Sequence, residues 1–490
     1  MSASTRLLSP LEAGFLYSES ARAPMHMGSV GVFEGAPLRD RHGSLRAGAI
    51  RAEIESRLHL VPKLRRRVRF SRLGLAAPTW VDDPRFDVAD HVREATLRRP
   101  GTEAMLRDLC AELMAIPLRR DRPLWELWLI DGLEGERVAM IEKLHHSMAD
   151  GLADVELVTV LFDLDRHAEH DHSAHPWQPE HGPRQSSILV SDLARRGSFP
   201  LRVMSNGIGA LRNPVGAGRV LSHYADALGN LAATGLFAPS SSLNVPIGEG
   251  RSVEFIRERL GDLHDAAEGL GVTINDLLLA SVAEGVHRLL SARGESVGGR
   301  TVQVLVPVGT EHHGDRRLGN RVSAMLVRLP VGPVDPLDRL RSVSRAQASS
   351  KRHRQALVAS LLLDLFEPLP QPVVAAAARL VHHQPFCNLV VTNVPGPGVP
   401  LFVLGARMLE AFPLVPIAGN LSVGVAALSY GGQLTVGLLA DPESCPDLGV
   451  LAGGISDSFS ALISAAGVRS GDPARQGVEH EIGTLGGSPS

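Results

Sequence analysis

Cysteine is nearly missing from this chain. Cys110, Cys387 and Cys445 are scattered over 490 positions, and none forms a CxxC pair. That excludes a disulfide framework and makes a reducing compartment the expectation. No run of 18 uninterrupted apolar residues occurs, so no transmembrane helix is expected and any membrane contact should be peripheral. The opening Met1 to Leu8 has no basic stretch before an apolar core and does not read as a secretory signal. Charge bias is absent as well: 50 basic against 53 acidic residues leave −3, which gives no ground for nucleic-acid binding. No Walker sequence, complete dinucleotide fingerprint or HExxH is present, and no cofactor or metal is expected.

What is present suits a globular protein, with 44% hydrophobic and 21% charged residues. A chain of this length is too long for one ordinary core, so two domains are expected. Residues 1–165 alternate strand-like and helical segments. A polar stretch follows, with His167, His170, His172, His175 and His181, then short helices to residue 240. The histidines suggest a metal site less than a solvated linker. Leu221, Tyr224, Ala225, Leu228 and Leu231 form an apolar stripe that reads as core, with docking on a membrane surface as the alternative. A second strand-and-helix region spans 241–468, and the Gly- and Ser-rich tail 469–490 reads as disordered. The basic run Lys63 to Arg69 reads as a solvated face; an anionic lipid surface or a CoA phosphate is the alternative there.

The densest chemistry lies at residues 145–151, His-His-Ser-Met-Ala-Asp-Gly. About one His-His pair is expected by chance among 20 histidines and three occur, so the pair alone says little. Its context says more. Arg137 to Leu144 reads as the second strand of a hairpin that begins at Trp125. Downstream, Leu152, Val155, Val158, Leu161 and Phe162 recur at helical spacing. Adjacent strand side chains face opposite ways, so only one of His145 and His146 can face a given cavity. A neutral imidazole is suited to take a proton from an alcohol near pH 7. Asp150 reads as structural, holding the loop while Gly151 permits the turn.

Rival signals are weaker. The stretch around Ser429 resembles a hydrolase elbow but lies between two strands, where Gly431-Gly432 marks a hairpin. Thr273 followed by Asp276 is a capping pattern at the start of a helix over 274–290. Asn275, on that first turn, either belongs to plain helix-start chemistry or points an amide at an oxyanion.

Taken together, these blocks resemble the bacterial wax ester synthase/diacylglycerol acyltransferase family, within the CoA-dependent acyltransferases that carry HHxxxDG. The resemblance runs from Leu8-Ser9-Pro10 to about Leu448. It includes Met25-His26-Met27-Gly28, Pro123-Leu124-Trp125-Glu126, Leu243-Asn244 to Arg251, Asn275-Asp276, Val306-Pro307-Val308, Leu318 to Arg321, and Thr392 to Pro397. It implies an α/β fold of two chloramphenicol-acetyltransferase-like mixed-sheet domains with flanking helices and an interface tunnel. By the same resemblance His146 is the general base, His145 and Asp150 support the motif, Asn275 supports the reacting centre, and Pro123-Leu124-Trp125 shapes the substrate wall. Acyl-CoA is the implied co-substrate, and a diacylglycerol or fatty alcohol the implied acceptor. A peripheral membrane or lipid-droplet surface is the expected surrounding. Two departures stand out. Gly309-Thr310-Glu311 replaces a serine and a nearby basic residue, and Leu118 is followed by Arg119-Arg120-Asp121-Arg122 where the family often has Leu-Asp-Arg. These bear on preference and rate. The alternatives are a carrier-protein-dependent condensation enzyme and a catalytically weak protein that binds lipid surfaces.

Overall fold

The computed structural model describes residues 7–71, 74–148, 161–168, 177–180, 182–197, 237–309, 322–352 and 369–467. Asp150, Gly151, most of the helix expected after them, the apolar stripe at 221–231, Leu318 to Arg321 and the tail lie outside these residues. So do His170, His172, His175 and His181.

In the first part the order is α1 (Pro10–Ser18), β1 (His26–Glu34), α2 (Ala47–Arg57), β2 (Arg66–Arg69), β3 (Thr79–Asp82), β4 (Val92–Thr96), α3 (Glu103–Ala115), β5 (Trp125–Leu133) and β6 (Arg137–His145). The segment that joins the two parts holds α4 (Gln185–Gly197). There follow β7 (Ser252–Arg259), α5 (Leu260–Leu270), α6 (Ile274–Ala292), β8 (Thr301–Gly309), β9 (Val322–Pro330), α7 (Pro336–Arg352) and α8 (Gln371–Arg379). Last come β10 (Leu389–Pro395), β11 (Phe402–Val403), β12 (Ala406–Leu414), β13 (Val423–Tyr430), β14 (Gln433–Ala440) and α9 (Leu448–Ala465).

Local chemistry explains the ends that matter. Ser9 and Glu12 form a capping box that starts α1, with Pro10 in the first turn. Thr102 caps α3 by accepting from the Met105 amide. Glu136 and Gly135 both take positive φ in the turn that closes the β5–β6 hairpin. The mixed α/β architecture expected from the sequence is present as two six-stranded sheets and a two-stranded hairpin. One sheet has the order β11-β12-β1-β6-β5-β4, antiparallel except where β4 runs beside β5. The other has the order β7-β14-β13-β10-β8-β9, with β10 parallel to both neighbours.

The strands do not keep to a boundary at residue 241. β11 and β12 come from 402–414, yet β12 pairs with β1 from Gly28↔Leu414 to Phe33↔Met408. Without β12 the edge of β1 would present unpaired backbone groups; pairing removes that liability. The same strand brings the sheets together. Phe412 of β12 stacks on Phe255 of β7 at 4.2 Å, inside a core cluster drawn from both sheets. Thr435 of β14 donates its hydroxyl to Ala411 O at 2.5 Å. α9 is apolar and long enough to cross a membrane by composition, and so, taken jointly, are α5 and α6. In the fold, Leu451, Ile455, Phe459 and Leu462 of α9 are buried in the second core with Leu278, Val282 and Val286 of α6.

Gly437 marks how tightly β14 approaches β12, since a Cβ there would sit 2.0 Å from Pro413 O. Gly437→Ala should therefore destabilise by about 1–3 kcal/mol. Gly449→Ala, on open α9 surface, should leave stability unchanged or raise it. Urea unfolding of the pair checks this; equal midpoints would refute the close contact.

Candidate active site around His146

β6 runs out at His145, so the histidine pair emerges where the strand gives way to a turn. Register fixes what lies beside it: His26 of β1 pairs with His145, and Gly28 pairs with Lys143. The His146 amide donates to Met25 O at 2.8 Å, and the His145 amide donates to Leu124 O at 3.0 Å. A tight turn follows, in which the Met148 amide returns to His145 O at 2.8 Å. The expectation that the two rings differ in exposure holds: His145 is fully buried and His146 half-buried.

His145 is anchored through Nδ1. The Ser147 amide donates to Nδ1 at 3.0 Å, and Ser147 Oγ lies 2.7 Å from the same atom. Nδ1 is thus the acceptor, which assigns the proton to Nε2. Nε2 faces Glu19 Oε1 at 3.5 Å. Below His145 lies a buried polar layer. His26 Nε2 contacts Met114 O at 3.1 Å, and the buried Lys143 ammonium donates to Ile116 O at 2.7 Å. Burial lowers both pKa values, His26 to well below the usual range; Lys143 adds to the effect on His26, and Glu126 works against it on Lys143. A neutral imidazole and an ammonium thereby close the carbonyl-bearing end of α3 against the sheet.

His146 has a different environment. Phe15 of α1 stacks flat on the ring at 4.1 Å and 4°. Nδ1 is buried and makes no hydrogen bond among the described residues. Burial lowers the ring's pKa to about 4; its own backbone opposes that shift, and His145 reinforces it. Phe15 also packs against a cluster of Ala23, Met25, Ile247, Ile417 and Ala418, drawn from both parts of the chain. Arg251 reinforces this junction by donating to Arg22 O at 2.6 Å. A neutral, apolar-stacked imidazole at such a junction is equipped to deprotonate an alcohol attached to a hydrophobic chain.

One expectation about a neighbouring block needs correction. Trp125 is core: its indole N–H donates to Leu64 O at 2.8 Å and its ring stacks on His91. Leu124 is also buried and offers its carbonyl to His145. The Pro-Leu-Trp block thus braces the motif from inside the first core, because an indole with a satisfied N–H is stable there. The capping box of Thr273 and Asp276 is complete, with the carboxylate accepting from both the Thr273 amide and hydroxyl. Asn275 accepts from Asn393 Nδ2 at 3.4 Å and makes no hydrogen bond to either histidine among the described residues.

Glu19 was not anticipated, and Arg120 was noted only within a departure from the family pattern. Arg120 donates to Glu19 Oε2 at 2.9 and 2.7 Å across 101 positions of chain. A contact of that separation leaves no local pattern. Arg120 is also hidden among neighbours: Arg119 pairs with Asp121, and Arg122 with Asp90.

Comparison with known proteins adds an independent line. The wax ester synthase/diacylglycerol acyltransferase catalytic domain matches residues 8–278, and the C-terminal domain of the same family matches 318–463. A probable diacylglycerol O-acyltransferase of Mycobacterium tuberculosis is 37% identical over 465 residues, covering 93% of this chain and 96% of its own. A putative one of Mycobacterium bovis matches to the same extent. Among solved structures, the wax ester synthase/diacylglycerol acyltransferase of Marinobacter aquaeolei is similar with TM-score 0.66 and 22% identity, over 94% of this chain and 100% of that one. The first condensation domain of the calcium-dependent antibiotic synthetase shares the fold with TM-score 0.56 and 17% identity, over 94% and 97%.

The low pKa of His146 has a direct consequence. The fold favours the neutral ring, so protonation costs stability: that contribution is intact above 6.5 and is lost as pH falls toward about 4. The acid limb of kcat/KM should accordingly bend near pH 4. Profiles measured from pH 4 to 8 check this, and an inflection near 6.5 would contradict it.

Proposed function

This chain belongs to the wax ester synthase/diacylglycerol acyltransferase family, and from that premise we propose that it moves a long-chain acyl group from acyl-CoA to a diacylglycerol or fatty alcohol. As a member it is an acyltransferase. The observation that carries the reading is the half-buried His146 ring, kept neutral and stacked on Phe15 beside apolar residues from both parts of the chain.

In this mechanism Nε2 of His146 takes the acceptor's hydroxyl proton as the oxygen attacks the thioester carbonyl. The tetrahedral intermediate collapses by breaking its carbon–sulfur bond, and the proton passes to the departing thiolate. The products are an ester and free CoA, with no acyl-enzyme and no metal step. Asp150 is assigned to holding the loop, and Asn275 to supporting the reacting centre from the first turn of α6. A tunnel along the junction of Phe15, Met25, Ile247, Ile417 and Ala418 would admit both chains; the apolar character of that cluster supports it.

We further place the working enzyme at the surface of a cytoplasmic membrane or lipid inclusion. Its substrates are lipids, and α4 exposes Leu189, Val190 and Leu193 to solvent. Triple replacement of these by Ser should weaken co-sedimentation with phosphatidylglycerol vesicles without altering the fold. Undiminished binding would remove the helix from this role.

Purified protein with palmitoyl-CoA and hexadecanol or a diacylglycerol should release thiol in an acceptor-dependent way. His146→Ala should lower that rate by about 10²–10⁴-fold. Release seen only with an acyl group on a carrier protein would point to condensation-type chemistry. No turnover together with tight vesicle binding would favour a lipid-surface protein.

A further inference from the structure

We propose that Glu19 is a positioning residue of this acyl transfer, setting the tautomer of His145 and, through it and Met25, the placement of His146. The inference rests on the reading of His146 as the base. Glu19 lies just past the last turn of α1 and its side chain is almost fully buried. Each of its oxygens is committed. Oε2 receives Arg120 Nε and Nη2 at 2.9 and 2.7 Å, while Arg120 Nη2 also holds Leu16 O at 2.7 Å. Oε1 receives the Met25 amide at 3.3 Å and faces His145 Nε2 at 3.5 Å.

Two routes lead from that carboxylate to the catalytic ring. In the first, an acceptor at Nε2 keeps the proton there, so Nδ1 stays free to accept from the Ser147 amide. The other tautomer would set two N–H groups against each other and open the turn that follows His145. In the second, Met25 is gripped at both ends, its amide by Glu19 and its carbonyl by the His146 amide. Burial alone would raise the Glu19 carboxyl, but His145 and Arg120 outweigh it and hold the pKa at about 2, so the acceptor is present at working pH. An ionised carboxylate that orients a histidine through its second nitrogen is a general device for fixing ring geometry.

Glutamine at this position tests the idea, because an amide has one acceptor oxygen and Arg120 would claim it. Its NH2 would then face His145 Nε2 and drive the proton to Nδ1. Glu19→Gln should cut kcat by roughly 10–100-fold with KM for palmitoyl-CoA within about twofold. Long-range proton–nitrogen spectra, with His145 assigned from a His145→Gln sample, should show the Nε2-protonated form in the parent and its loss in the variant. Adding Arg120→Met frees the amide oxygen to turn toward His145, so the double variant should regain part of kcat although the ion pair is gone. A purely structural ion pair predicts the reverse, a double variant no better than the single. A folded Glu19→Gln protein with parental kcat, or an unchanged tautomer, would overturn the proposal. The spectra need no turnover, so they judge it even if the acyltransferase reading fails.

Discussion

Backbone pairing of β1 with β6 brings the Met25 carbonyl to the His146 amide and His26 to His145, and the site is built outward from that seam. A strand that ends in two histidines must bury one ring and leave the other facing outward. Burying an imidazole is costly unless both nitrogens find partners. Ser147 satisfies one, and Glu19 faces the other at 3.5 Å, an electrostatic contact that offsets part of the cost and orients the ring. His146 then inherits a defined direction with few polar contacts of its own. The aromatic face of Phe15 limits its rotation while leaving its basic nitrogen uncommitted.

The elements flanking the motif were legible in the sequence because their signals are local. Apolar residues marked Arg137 to Leu144, the Thr273 cap marked α6, and Gly431-Gly432 marked the last hairpin. β12 was not anticipated as a strand of the first sheet. Nothing within 406–414 shows that it leaves its neighbours to pair with a strand nearly 400 positions earlier. The site followed the same division. His145 and His146 stood out as a dense motif, whereas Glu19 and Arg120 acquire meaning only once the end of α1 meets the loop before β5 and the end of β6. Trp125 was misplaced for a related reason: an aromatic next to a motif reads as a substrate wall until its N–H is seen to be used internally.

Charge and apolar surface have separate tasks in this architecture. Arg257 meets Glu410 at 2.7 Å and is also paired with Glu103, so it joins β7, β12 and α3 beside the aromatic stack of Phe255 and Phe412. The ion pairs lie at partly exposed positions, where each contributes little stability. They tie the two sheets together at one point, while the shared core cluster supplies most of the cohesion.

Insertion of β12 into the first sheet has a consequence for biosynthesis. A nascent chain that has delivered the histidine motif still lacks the strand that closes β1, and must wait until residue 414 has left the ribosome. Over some 270 codons the emerging half presents an open, apolar strand edge, a state prone to intermolecular pairing. Catalytic competence is thus tied to nearly complete translation, because a truncated message yields the motif histidines without Ile417 and Ala418 of the apolar junction that Phe15 packs against.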